Sequence, residues 1–122
     1  MHAISYSRFG PPHEVLTSCE IPTPDPGPGE VLVRLHVSGV NPSDAKARAG
    51  ARPGVAAPAF PRIVPHSDGA GVIEAVGEGV PAARIGARVW IWNGQWQRAF
   101  GTAAQYIALP SAQAVDLPEG VG

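Results

Sequence analysis

Cysteine is almost missing from the sequence. Cys19 stands alone among 122 residues, so no disulfide closes within the chain and no cysteine-based zinc site can be assembled. Lysine is equally scarce: Lys46 is the single lysine among nine basic residues, and with the abundance of Ala and Gly this points to a GC-rich bacterial source. Charge of either sign is sparse. Nine Lys plus Arg against ten Asp plus Glu leave a net charge of -1, which gives no field for a polyanion, so neither nucleic acid nor anionic lipid is an expected partner. No apolar run approaches the roughly 20 residues of a membrane span. The opening MHAISYSRFG has no basic segment leading into an apolar stretch. The expected location is the cytoplasm, with no membrane partner.

What is plentiful is punctuation. Gly contributes 15 residues and Pro 14, about a quarter of the chain, which argues against a helical bundle. Apolar residues at 44% and charged ones at 16% give enough material for one modest core, and the length suits one domain. Residues 2–7 and 14–21 read as an opening pair of strands, followed by the Pro/Gly-rich connection IPTPDPGPGE. Residues 30–38 carry the clearest period of two, with Val31, Val33, Leu35 and Val37 on one face and Leu32, Arg34, His36 and Ser38 on the other. A helix of about two turns is expected next, with Asn41 as N-cap, Pro42 at the first helical position, Asp44 at the third, and Gly50 closing it. Residues 51–65 read as a surface loop. Short strands are then predicted over 71–76, 88–92, 104–109 and 113–117, a spacing that implies a sandwich or barrel.

Four segments, in this order, carry a resemblance to a known family: GPGEVLVRLHVSGVNPSDAKARAG at 27–50, PHSDGAGVIEAVGEGV at 65–80, IGARVW at 85–90 and GTAAQYIALP at 101–110. The chain resembles the N-terminal half of the medium-chain dehydrogenase/reductase superfamily, in its zinc-independent quinone oxidoreductase branch. The resemblance implies a mainly β, GroES-like, partly open barrel with one or two short helices. It makes residues 1–122 the substrate-side, catalytic domain, with a nucleotide-binding Rossmann domain expected after Gly122. The implied reaction is hydride transfer from NADPH to a quinone or an α,β-unsaturated carbonyl, with a homodimer expected at full length and no activity expected of this fragment alone.

Zinc-dependent alcohol dehydrogenases of the superfamily place a cysteine ligand at the position matching Asn41 and a histidine ligand at the position matching Ser67. Neither ligand is here, and zinc is not held by an uncharged amide and a hydroxyl. No metal is expected. His66 stands one residue away, where an extended backbone turns its side chain to the opposite face. In the quinone reductase branch a glycine usually occupies that place.

Asn41-Pro42-Ser43-Asp44 is the leading candidate for function, and it is also simply a good helix start. Such an end exposes N–H groups and partial positive charge suited to a carbonyl, a quinone oxygen or a phosphate. By resemblance Asn41 lies near the nicotinamide and the substrate carbonyl, with Pro42 beside it on the cofactor side. Ser43 matches a hydroxyl used for proton relay, and Asp44 orients its neighbours. Trp96, in the loop 93–101 that borders the cleft in this family, is the aromatic expected to meet a flat substrate. Trp90 and Trp92 are expected to pack between barrel and loop. Gly77 to Ala82 formally fits a dinucleotide fingerprint, but Pro81 and the strand signals after it preclude the required helix, so these glycines are assigned to turns. Two other contexts stay open. The chain would be a stand-alone binding module needing a partner if it ends naturally at Gly122, or part of a polyketide synthase enoyl reductase if carrier-dependent domains flank it.

Overall fold

The computed structural model describes residues 1–51 and 53–121. The predicted loop therefore includes one residue, Arg52, outside the described set, and the expected domain boundary at Gly122 lies outside it too. Strands β1 (His2–Ser5) and β2 (Thr17–Glu20) form an antiparallel pair, with a single helical turn α1 (Pro12–Val15) between them. Strand β3 (Glu30–Gly39) leads into helix α2 (Pro42–Ala49), and β4 (Asp68–Val76), β5 (Arg88–Ile91), β6 (Tyr106–Pro110) and β7 (Ala114–Asp116) follow. The last five strands named form one antiparallel sheet in the order β6-β3-β4-β5-β7. The fold is mainly β with two short helices and an unclosed sheet, as the resemblance implied.

The expected strand over residues 14–21 is corrected at its start. Pro11 and Pro12 preset helical entry, and Glu14 and Val15 donate their backbone N–H groups to the Pro11 carbonyl at 3.1 and 3.2 Å. Val15 is then buried with Tyr6 and Ile63, a small cluster that Phe60 flanks. The extended backbone resumes only at Thr17. The later strands differ at their ends: β4 begins at Asp68 rather than Gly71, β6 at Tyr106 rather than Ala104, and a 3-10 turn over Ser111–Gln113 precedes β7.

The main core lies on one face of the five-stranded sheet. Val31, Val33, Ile73, Val89, Ile91, Ile107, Leu109 and Ala114 form one buried cluster. Each fully buried Val, Ile or Leu side chain there contributes about 2 kcal/mol. The period of two in β3 holds only for part of its length. Register shifts fall between Leu32 and Val33 and between Leu35 and Val37; Leu32 is buried like Val31 and Val33 although assigned to the opposite face, while Val37, assigned to their face, is 61% exposed.

Glycines in β4 and after it have a steric reason. A Cβ on Gly71 would overlap the Arg34 carbonyl oxygen of the adjacent strand, and one on Gly77 would overlap the Gly27 carbonyl. Gly79 has φ +86, and Pro81 is followed by a 3-10 turn over Ala82–Arg84, with no helix there to receive a pyrophosphate. These glycines serve turns and close backbone approach, as assigned from the sequence.

Candidate active-site cleft

Helix α2 buries none of its residues, so its position is set at its two ends. At the C-terminal end Gly50 takes a left-handed conformation, and a Cβ there would lie 2.7 Å from the Phe9 ring. The Gly10 N–H donates to the Arg48 carbonyl at 3.1 Å, tying this end to the N-terminal segment. At the other end Asn41 is the N-cap and Pro42 opens the helix, as expected. The Asp44 carboxylate turns back to accept the Asn41 backbone N–H at 2.7 Å, and the Asp44 N–H donates to the Asn41 backbone carbonyl at 3.0 Å.

The face of α2 that carries Ser43, Asp44 and Ala47 forms one wall of a cleft of about 440 Å³. Tyr6, Phe60 and Ile63 lie along it, Val55, Pro58 and Ala59 come from the long loop, and Asn93, Gln95, Trp96 and Gln97 close the far side. That volume suits one small molecule. Ser43, Asp44 and Trp96, chosen from sequence, thus share one cavity. Trp96 is 59% exposed, so its indole is open to a ligand rather than committed to the core. Ser67, which the resemblance matches to a zinc-binding histidine, lines the same cleft. Arg98 reaches it as well: its Nε is buried without a hydrogen-bond partner, and burial lowers the guanidinium pKa while Glu30 opposes the shift.

Asn41 and Pro42 are not among the lining residues. Asn41 instead donates its side-chain amide to the Asp68 carboxylate at 2.6 Å, which leaves a second N–H on the same nitrogen. Asp68 was not singled out from the sequence, and its separation of 27 positions from Asn41 hides the pairing. Trp90 and Trp92 do not pack as expected. They are 42% and 43% exposed, because Val89 and Ile91 take the inward positions of β5 and Trp92 lies just past its end. The Trp92 indole N–H donates to the Ala112 carbonyl at 3.2 Å. Cys19 is half-buried beside Ala3, Ile21 and Val64, in keeping with a small packing residue.

His66 is not in an extended conformation. Its φ is +78, a left-handed backbone that favours glycine, which accounts for the glycine usual at this position in the branch it resembles. Among the described residues no group of three or more His, Cys, Asp and Glu side chains is placed to hold a metal ion. Among those residues no helix is long and apolar enough to cross a membrane.

An unclosed antiparallel sheet with a capped helix and two loops enclosing a cleft at one side defines a GroES-like domain. The domain family described as "Alcohol dehydrogenase GroES-like domain" matches residues 27–119, and the chain belongs to that family. Among curated proteins it is 33% identical to the quinone oxidoreductase of Rattus norvegicus over 123 aligned positions, covering 98% of this chain and 36% of that protein. It is 38% identical to the synaptic vesicle membrane protein VAT-1 homolog of Homo sapiens, over 80% of this chain and 23% of the relative. Among solved structures, a quinone oxidoreductase of Pseudomonas syringae matches with a TM-score of 0.83 and 35% identity, over 99% of this chain and 34% of that one. The quinone oxidoreductase of Escherichia coli complexed with NADPH matches with a TM-score of 0.83 and 26% identity, over 100% and 35%. The chain therefore spans about a third or less of the relatives described, and the medium-chain dehydrogenase/reductase resemblance, in its quinone oxidoreductase branch, is borne out.

Proposed function

We propose that the chain is the N-terminal, substrate-side domain of an NADPH-dependent oxidoreductase that passes hydride to a quinone or α,β-unsaturated carbonyl without zinc. The observation that carries this reading is the convergence of Ser43, Asp44 and the exposed Trp96 on one cleft, with a serine at the position of the zinc-binding histidine. The relatives named as quinone oxidoreductases, one of them complexed with NADPH, support the same reaction class. A nucleotide-binding domain following Gly122 completes the enzyme in this reading, residues 1–122 alone do not turn over NADPH, and the whole is a cytoplasmic, bacterial homodimer.

The residues present fit the nicotinamide end of the cofactor only. Asn41 keeps one amide N–H beyond the one given to Asp68, whereas no glycine-rich strand-to-helix turn exists among the described residues for a pyrophosphate. NADPH supplies the hydride when bound. The chain supplies position and hydrogen bonding. Trp96 offers a flat apolar face to the acceptor ring. Asn41, with Pro42 beside it, borders the cofactor and donates its second amide N–H to the oxygen that gains negative charge. Ser43, inside the cleft, passes a proton to that oxygen, and Asp44 holds the N-cap that keeps Asn41 and Ser43 in register.

The intact mass of the native gene product is the first test. A value roughly two to three times the 12.6 kDa of these residues is expected, and a mass near 12.6 kDa overturns the two-domain reading. For the chemistry, Asn41→Ala in the complete enzyme is expected to lower kcat on several quinones by on the order of a hundredfold. Wild-type turnover in that variant removes Asn41 from the mechanism.

A further inference from the structure

The segments ending β3, opening β4 and preceding β6 meet at a chain of side-chain hydrogen bonds. The His66 Nδ1 lies 2.8 Å from the Ser38 Oγ, and the Ser38 Oγ lies 3.0 Å from the Thr102 Oγ1. The Thr102 hydroxyl in turn donates to the Asp68 main-chain carbonyl at 2.7 Å. Thr102 is fully buried and sits tightly confined: a Cβ on Gly69 would come within 3.3 Å of its Cβ, and one on Gly94 within 3.2 Å of its Cγ2.

The direction of every bond in this chain follows from one group that can only accept. The Asp68 carbonyl takes the single hydroxyl proton of Thr102. The proton between Ser38 and Thr102 must then be that of Ser38. With its own proton spent, Ser38 can only accept from His66, so the His66 Nδ1 carries hydrogen and the neutral ring presents a bare lone pair at Nε2. The same logic fixes the Asn41 amide, because a carboxylate accepts and its partner must be Nδ2.

We infer that Asp68 is the positioning residue of the site: its carboxylate orients the Asn41 amide, while its main-chain carbonyl is anchored through Thr102 and Ser38 to a His66 locked as the Nδ1–H tautomer. This deepens the proposed reading of Asn41 as a hydrogen-bond donor to the acceptor oxygen and rests on it for its catalytic meaning, although the hydrogen-bonded chain itself does not. The left-handed backbone of His66 belongs to the same device. Such a conformation persists in a non-glycine residue when its surroundings hold it. Here the Thr102 N–H donates to the His66 carbonyl at 2.8 Å while the imidazole is held by Ser38, so both ends of the residue are tied.

The test is side-chain NMR on the 15N-labelled chain, which measures no turnover. In the wild type the His66 Nε2 of the neutral ring is expected to resonate in the unprotonated range, and one Asn41 side-chain amide proton is expected well downfield of its twin. Asp68→Ala, which leaves no side-chain acceptor, should collapse that separation while leaving the His66 tautomer unchanged, since Thr102 touches only the main chain of residue 68. Thr102→Val removes the acceptor for the Ser38 proton, which then turns to Nδ1, and the tautomer should reverse to Nε2–H. A wild-type His66 in the Nε2–H form overturns the anchor even if no variant folds. Asn41 amide signals unchanged in Asp68→Ala overturn the positioning role. Either failure leaves the oxidoreductase reading standing, and full turnover by Asn41→Ala would remove that reading while leaving the chain of bonds intact.

Discussion

The five-stranded sheet and the rim of the cleft are built from the same apolar stock and use it in opposite ways. In the sheet Val31, Val33, Ile73, Val89 and Ile91 are essentially sealed from water. Around the cleft Val55 and Trp96 stay substantially exposed, and Phe100 does so at the end of the far loop. Backbone strain divides the same way. The non-glycine residues with positive φ among those described are His66, Asn93 and Gln97; two of them line the cleft and the third adjoins Ser67, which does. Strained backbone and unburied apolar surface cost stability, and both collect where a ligand would cover or exploit them.

Substitutions can break this division or sharpen it. Gly71→Ala should be the most damaging, since the new Cβ meets the Arg34 carbonyl inside the β3-β4 ladder; a loss of about 3 kcal/mol or more is expected by chemical denaturation. Ile91→Ala, in the sealed core, should cost about 3 kcal/mol, seen as a lower denaturation midpoint with an unchanged slope. On the rim the sign should reverse: Gln97→Gly relieves a left-handed backbone and should gain about 0.5 kcal/mol after the entropy of glycine is counted. Trp96→Ala should leave stability within about 0.5 kcal/mol and instead weaken binding of flat aromatic acceptors, read as a raised KM in the complete enzyme. If Trp96→Ala destabilised the fold as Ile91→Ala does, the contrast between sheet and rim would fail.

The parts legible in the sequence are those governed by local rules. Helix α2 was readable end to end, because Asn41, Pro42, Asp44 and Gly50 each satisfy a backbone requirement within a few residues. Strand β3 was readable up to its irregularities, and the bulges that expose Val37 depend on how β4 pairs with it, which no period reveals. The turn over Pro12–Val15 was hidden by a β-rich neighbourhood, and the neighbouring prolines were its only local signal. In the cleft, Ser43 and Trp96 were found through family pattern, whereas the grip of Asp68 on Asn41 joins residues on different elements. Thr102 offered one clue in retrospect. It is a hydroxyl set in an otherwise small and apolar segment, and a fully buried hydroxyl needs a partner.

Helix α2 has no buried residue and is fastened only at its ends. Its opening therefore exposes little surface that is not already wet, and it can occur without melting the sheet. In hydrogen exchange its amides should lose protection well before those of β3 and β4. The cleft wall that bears Ser43 is thus a compliant element on a stiff frame, able to shift while the sheet stays unperturbed.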